Sequence, residues 1–293
     1  MNSQTFDSAL VLVSPSSGHG EGYRAVPRVE RAFRQNGIEA RVVLISSPEI
    51  VSREIETQAP EASVVVAAGG DGTVNLVARA ILLAGQGKPL GLIPFGFGNC
   101  LARSLGVPLD IESAVDVIAR GQFKTIDIAW TQDRPVMFAL SSGFDAEVAR
   151  KVSEARIGGV SMRDYLRAIW SSVVHYDWPE IKVEVDGRLL KDHYSQVILS
   201  PVNNYAIFFQ LKSGPGVRVY LFRDHLPRAL RYFLLMGPTR NLASASDLSL
   251  QVKSSLKMTA TQACAPSQID GEFSGFLPVA CEIRPGALQI LTP

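Results

Sequence analysis

The chain has 293 residues, 46% of them hydrophobic and 19% charged. That supplies more apolar material than one core usually serves and excludes a disordered or low-complexity chain, so two domains are the natural expectation. Lys and Arg number 29 against 28 acids, so no overall positive field exists to hold nucleic acid, and any anion site must be local. Cys100, Cys264 and Cys281 form no C-x-x-C pair and indicate neither a disulfide framework nor a zinc site; a reducing cytoplasm is the expected setting.

The first 130 residues alternate short β-rich runs with helix-length amphipathic segments. The apolar run Ala9 to Val13 is too short for a signal-peptide core, and Leu10 to Val13 reads as a strand. A glycine-bearing loop, Ser14 to Gly22, leads to a helix near Arg24 to Gln35 and a strand at Ala40 to Ile45. Ser47 and Pro48 read as an N-cap followed by a first-turn proline, opening a helix to about Gln58. In Ala62 to Ala67, Val64, Val65 and Val66 are apolar on both faces, as a central parallel strand covered by helices requires. The loop Gly69 to Thr73, a helix to about Ala84, the strand Leu90 to Ile93, the loop Gly96 to Asn99 and a helical stretch from Leu101 to Gly106 follow. This alternation predicts a parallel sheet with helices on both sides, whose ligands lie beyond the carboxyl ends of its strands.

From about Gly121 the rhythm turns β-rich. Lys124 to Trp130, Val136 to Leu140, Ile181 to Val185 with Asp186 and Gly187 as a hairpin turn, and Gln196 to Leu199 predict a second, largely antiparallel domain over residues 131–293, after an α/β domain over 1–130. A helix capped by Ser161 and running to about Tyr176, and another near Leu226 to Met236, interrupt it. No stretch of about 20 uncharged apolar residues occurs, so no spanning helix is expected. Arg223, Arg228, Arg231 and Arg240 among Leu226, Leu230 and Phe233 to Met236 read either as a basic, apolar membrane contact or as a helix packed on the second domain. Tyr205 to Phe209 reads as core or as the lining of an acyl pocket.

Two motifs carry chemistry. In Gly69, Gly70, Asp71, Gly72 and Thr73, between an apolar strand and a helix, glycines expose N–H groups where the helix dipole adds positive potential. Such a loop can cradle a phosphate chain, with Asp71 on Mg²⁺ and Thr73 donating a hydroxyl; read alone, it is also an ordinary strand-to-helix turn. The second strand-end loop, Gly96 to Asn99, admits a close backbone approach and puts Asn99 at an N-cap or ligand position.

These loops, together with Ser14 to Gly18, Asp127, the stretch Gly143 to Glu147, Asp270-Gly271-Glu272, and the closing Leu277-Pro278-Val279 and Pro285 to Leu288, resemble the diacylglycerol kinase catalytic-domain family, and within it the bacterial lipid kinases. The resemblance implies an α/β nucleotide-binding domain of NAD kinase and diacylglycerol kinase type joined to a β-sandwich domain, with the active site in the cleft between them. It implies ATP bound by Ser14, Ser17, Gly18, Gly69, Gly70, Asp71, Gly72, Thr73, Gly96, Gly98 and Asn99, with Mg²⁺ on Asp71. Asp270 looks like the general base for a lipid hydroxyl and Glu272 like a support for that acid or for the metal, whereas without the family match Asp270-Gly271 reads as a simple turn. Asp127 and Asp145 stand behind them as supporting candidates. The implied setting is the cytoplasm, at the inner face of a membrane, with a lipid partner, no nucleic acid, and an oligomeric state left open between monomer and homodimer.

Three departures stand out. Phe97 replaces the usual Thr or Ser of the second loop, Leu76 the usual Glu after Asn75, and the stretch Lys212 to Val217 has no acid where the family has an Asp-Gly pair. Two other readings follow: a soluble nucleotide kinase acting on NAD, which shares the Gly-Gly-Asp-Gly-Thr loop, and a non-catalytic lipid or nucleotide binder.

Overall fold

The computed structural model describes residues 2–96, 98–132, 134–154, 162–202, 204–205, 209–210, 216–223, 246–261 and 264–293. Phe97, Ser161, residues 212–215 and the helix expected at 226–236 lie outside the described residues, as do the side chains of residues 205–209. The chain divides into two compact units, Met1–Asp127 with Pro285–Pro293, and Ile128–Arg284.

In the first unit β1 (Asn2–Ser3), β2 (Ser8–Val13), α1 (Ser17–Gln35), β3 (Glu39–Leu44), α2 (Pro48–Thr57), β4 (Val64–Gly69), α3 (Asp71–Ala84), β5 (Leu90–Pro94), α4 (Cys100–Leu105) and α5 (Ile111–Arg120) follow one another. The strands lie in the order β3, β2, β4, β5, all parallel. Near the C-terminus Ile290 pairs in parallel with Leu90 of β5. The chain moves one way along the sheet from β2 to β3 and back the other way to β4 and β5. Right-handed crossovers therefore put α1 on one face and α2 with α3 on the other. In keeping with this, α1 packs with α5 and α2 with α3. Val64, Val65 and Val66 are fully buried, and burial of such a side chain stabilises by about 1.5–3 kcal/mol.

Two helices begin earlier than the sequence pattern suggests, α1 at Ser17 and α3 at Asp71. Glycine is a poor helix former, but Gly22 sits in α1 where a Cβ would lie 2.1 Å from the Ser14 carbonyl oxygen, so the close approach of helix and strand end requires it. The loop expected from Ser14 to Gly22 is thus mostly the start of a helix. Helix α5 was not expected: the Asp110 side chain accepts the Ser113 N–H at 2.9 Å to start it, and Gly121 in the left-handed region ends it.

β6 (Gln122–Thr131) crosses from the first unit into the second. There follow β7 (Pro135–Val136), β8 (Leu140–Ser142), α6 (Phe144–Glu154), α7 (Met162–His175), β9 (Ile181–Val185), β10 (Arg188–Leu189), β11 (Gln196–Ser200), β12 (Asn204–Tyr205), β13 (Phe209–Gln210), β14 (Arg218–Phe222), β15 (Leu248–Gln251), β16 (Ser255–Ala260), β17 (Pro266–Ile269), β18 (Glu272–Phe276) and β19 (Val279–Leu291). One antiparallel sheet runs β10, β9, β16, β19 and the other β15, β14, β11, β8, β17, β18. Val183, Leu256, Met258 and Cys281 of the first share one core with Leu140, Val197, Leu199 and Val219 of the second, a β-sandwich.

Asp186 and Gly187 take φ of 51° and 77°, the two-residue hairpin turn their sequence predicts. The strand expected from Val136 to Leu140 is instead broken between β7 and β8, because the N–H groups of residues 137–139 bond to Asp270.

Candidate active site

In the first unit, β4 ends at Gly69 and α3 begins at Asp71, with Gly70 between them as an N-cap that makes no side-chain capping bond. The N–H groups of the first turn, at Asp71, Gly72 and Thr73, have no intrahelical acceptor and lie at the positive end of the helix dipole. A Cβ on Gly69 would fall 2.3 Å from Thr73 Oγ1, and one on Gly96 would fall 2.5 Å from Gly70 Cα, so the two glycine loops run backbone against backbone. Gly72 differs: nothing lies within 4 Å of its Cβ position. Packing gives no reason for glycine inside this helix, where alanine is better by about 0.8–1 kcal/mol. The open space at the helix N-terminus suits a ligand that must come close to the backbone.

The remaining predicted nucleotide residues collect around this turn. Ser14 N–H donates to the Ala68 carbonyl at 3.0 Å, and Ser17 Oγ accepts the Gly70 N–H at 3.4 Å. Gly18, with φ of 61°, lies in the first turn of α1. Asn99, left-handed at φ 48° and buried, closes the second loop on itself: its Nδ2 donates to the Gly96 carbonyl at 2.7 Å and its Oδ1 accepts the Gly96 N–H at 2.9 Å. The Gly98 carbonyl accepts from Arg103 Nε at 3.0 Å.

Asp71 Oδ1 accepts the Cys100 N–H at 2.6 Å and so caps α4, joining the two loops. Burial, with the neighbouring Asp71 charge, pushes the Cys100 thiol up to about 12. Among the described residues no three His, Cys, Asp or Glu side chains gather as a metal cage. Magnesium in phosphoryl transfer is commonly held by one or two carboxylates plus phosphate oxygens and water, a donor set for which Asp71 at this turn fits.

In the second unit Asp270 and Gly271, with φ of 56° and 86°, form the turn between β17 and β18. The turn is also a cradle. Asp270 Oδ1 accepts the N–H groups of Phe138 at 2.7 Å and Ala139 at 3.0 Å, and Oδ2 accepts that of Met137 at 3.0 Å. Charge-assisted bonds of this kind are about twice as strong as neutral ones and fix the carboxylate in place. The Gly271 N–H donates to Gln268 Oε1 at 2.7 Å, Gln268 Nε2 to Ser141 Oγ at 2.6 Å, and Ser141 Oγ to Asp145 Oδ2 at 2.5 Å. Asp145 thus reaches the Asp270 turn through a chain whose middle members, Ser141 and Gln268, are buried. Nearby in α6, buried Glu147 pairs with Arg150 at 2.7 Å.

Glu272 is paired with Arg134 at 2.9 Å, and Arg134 also donates to the Ile269 carbonyl. Asp127 joins neither group: its Oδ1 accepts the Gly286 N–H at 2.9 Å and holds the returning C-terminal segment. Arg134, Ser141 and Gln268 were missed by sequence reasoning. Gln268 had a signal, lying two residues before Asp270 in a strand, whereas Arg134 had none. Tyr176 was missed as well: its buried hydroxyl has no hydrogen-bond partner among the described residues, and burial, with Asp145 and Glu147 adding, raises its pKa.

Residues 8–131 match the model of the diacylglycerol kinase catalytic domain. The chain is 23% identical over 292 residues to the diacylglycerol kinase of Staphylococcus carnosus, covering 97% of this chain and 95% of that protein. It is 31% identical over 162 residues to a Klebsiella pneumoniae protein named "Probable lipid kinase YegS-like", over 54% of each. A crystal structure of a diacylglycerol kinase from Bacillus anthracis shares the fold, with a TM-score of 0.77 at 18% identity over 99% of this chain and 98% of that one.

Proposed function

We propose, because the chain belongs to the diacylglycerol kinase catalytic-domain family, that it is an ATP-dependent lipid kinase which transfers the γ-phosphoryl group to the hydroxyl of a diacylglycerol-like acceptor. The observation that carries this reading is Gly72: a glycine inside a helix, at an uncapped N-terminus, with open space where a side chain would stand. A phosphate chain lying on the first turn of α3 needs that space and those N–H groups.

Each residue then has a task. The N–H groups of residues 71–73 and the Thr73 hydroxyl hold phosphate oxygens, while Gly69, Gly70 and Gly96 let the two loops close. Ser14, Ser17, Gly18, Gly98 and Asn99 shape the border of the nucleotide. Asp71 would hold magnesium, which supplies charge neutralisation on the transferred group when bound. Asp270, pinned by three N–H donors, takes the proton of the acceptor hydroxyl as its oxygen attacks the γ-phosphorus and ADP leaves, and Glu272, held by Arg134, supports that acid or the metal. Phosphoryl transfer asks mainly for such positioning and electrostatic stabilisation.

The test is transfer of labelled γ-phosphate from ATP, with Mg²⁺, to diacylglycerol, ceramide, sphingosine, polyprenol and NAD. Labelled lipid that disappears in Asp270→Asn supports the reading. Labelled NADP would replace the lipid by a soluble nucleotide, and folded protein that binds ATP or lipid but labels no acceptor would make it a non-catalytic binder.

A further inference from the structure

We infer that Gln268 is a positioning residue for the reaction: its side-chain amide, oriented by Asp145, holds the Asp270 turn in the form that presents the carboxylate. Strand β17 turns Ile269 into the sandwich core, so its neighbour Gln268 lies on the other face, against which α6 packs. Apolar side chains ordinarily fill such a seam. Gln268 is instead 2% exposed there, and it is paired in register with Ser141 of β8, fully buried on the same face. An amide so buried costs stability unless it is hydrogen-bonded, and here each end has a partner. Nε2 donates to Ser141 Oγ at 2.6 Å, and Oε1 accepts the Gly271 N–H at 2.7 Å.

The direction of this chain is set at its far end, in the first turn of α6. A carboxylate only accepts, so Ser141 gives its single hydroxyl proton to Asp145 Oδ2, at 2.5 Å. The Ser141 oxygen is then open to a donor alone, so the Gln268 NH₂ group turns to it and leaves the side-chain carbonyl facing Gly271. Nε2 also lies 3.5 Å from Asp145 Oδ2, on the same side. A reversed amide would set NH₂ against the Gly271 N–H and a carbonyl against a hydroxyl whose proton is already given. Asp270 and Gly271 take φ of 56° and 86°, for Asp270 a sparsely populated conformation that persists where its surroundings enforce it. Because the chain ends on a backbone N–H and not on the carboxylate, it carries no proton to Asp270 and acts by position alone. Position is enough, since a displacement of about 1 Å at a reacting group can cost 10²-fold in rate. The inference rests on the reading of Asp270 as the base.

The experiment measures kcat and KM for labelled-phosphate transfer by the full chain, well below each unfolding midpoint, together with hydrogen exchange at the Gly271 amide. Gln268→Ala should lower kcat roughly tenfold or more, within the range a misplaced group can cost, leave the KM for ATP near its wild-type value, and speed exchange at Gly271. Gln268→Glu should do the same, because two carboxylates then flank Ser141, which has one proton to give. Adding Asp145→Asn to Gln268→Glu should restore most of kcat: the new amide donates to Ser141, Ser141 donates to the new carboxylate, and the Gly271 N–H again has its acceptor. Ser267→Ala is the control, since it removes another buried hydroxyl from β17, one bonded to Ser274 and to the Gly275 carbonyl, and its kcat should stay near wild type. Wild-type kcat in Gln268→Ala, a double variant no faster than Gln268→Glu, or a Ser267→Ala loss equal to that of Gln268→Ala would each overturn the inference. The kinase reading fails separately, when wild-type protein labels no acceptor. Exchange at Gly271 then decides: faster in Gln268→Ala and slowed again in the double variant, it supports the tie to the turn, and unchanged in both, it overturns it.

Discussion

In the first unit the groups proposed to meet phosphate are backbone N–H groups, presented by glycines so closely packed that Gly70 and Gly96 face each other without side chains. In the second unit the order is reversed: a side-chain carboxylate, Asp270, is the candidate reactive group, and backbone N–H groups of residues 137–139 hold it. Where the two loops meet, at Gly69 and Gly96, the first arrangement tolerates no added atom, and the second no lost acceptor. The two regions should therefore respond to opposite kinds of substitution.

The largest effect is expected at Asp270. Asn keeps the volume but turns an NH₂ toward N–H donors, so Asp270→Asn loses the base, a term of about 10²–10⁴ in rate, and destabilises by about 1–3 kcal/mol through unmet donors. Labelled-phosphate transfer measured well below the unfolding midpoint separates the two. A rate within tenfold of wild type there would make Asp270 a structural pin alone.

Gly96→Ala comes next. Its Cβ would meet Gly70 Cα at 2.5 Å and Asn99 Oδ1 at 2.9 Å, and overpacking of this kind costs about 1–3 kcal/mol. Denaturant unfolding should show that loss together with a raised KM for ATP. Gly72→Ala is the sharper partner, because its Cβ meets nothing. Alanine there should stabilise α3 by about 0.5–1 kcal/mol while raising the KM for ATP at least tenfold. A variant that is more stable and binds ATP unchanged would remove phosphate from this turn.

The same contrast decides what could be read from sequence. Glycines forced by a strand-to-helix junction are written locally, so the succession of β2 to β5 along the chain and the loops at Gly69 and Gly96 were legible, as was the Asp186-Gly187 hairpin, whereas the order of the strands across the sheet was not. The Asp270 cradle was not, because its donors lie more than 130 positions away in residues expected to be a strand. Nor did local pattern show that Pro285–Pro293 packs with the first unit: the Asp127 to Gly286 bond and the pairing of Ile290 with Leu90 link residues remote in the chain. Helix α6 escaped notice for another reason. Its first turn carries Asp145 and Glu147, which drew attention as a motif and away from the apolar spacing of Phe144, Val148 and Val152 that packs it.

The smallest effect is chemical, and it tests whether Asp71 really faces the second loop. Each unit buries one cysteine, Cys100 in the first and Cys281 in the second, and both thiols are pushed up to about 12, chiefly by burial. For Cys100 the second cause is the charge of Asp71; for Cys281 no such neighbour ranks so high. A raised thiol pKa means less thiolate at any given pH, roughly one part in a thousand at pH 9 for a value near 12. Alkylation of the native protein at that pH, followed by mass spectrometry, should therefore mark exposed Cys264 and spare the other two. Asp71→Asn removes a negative charge that disfavours the thiolate, so it should lower the Cys100 pKa and speed its alkylation severalfold while Cys281 stays inert. Equal protection of both cysteines in that variant would mean that burial alone sets the Cys100 value, and that the link between the two glycine loops through Asp71 is weaker than the 2.6 Å bond to the Cys100 N–H suggests.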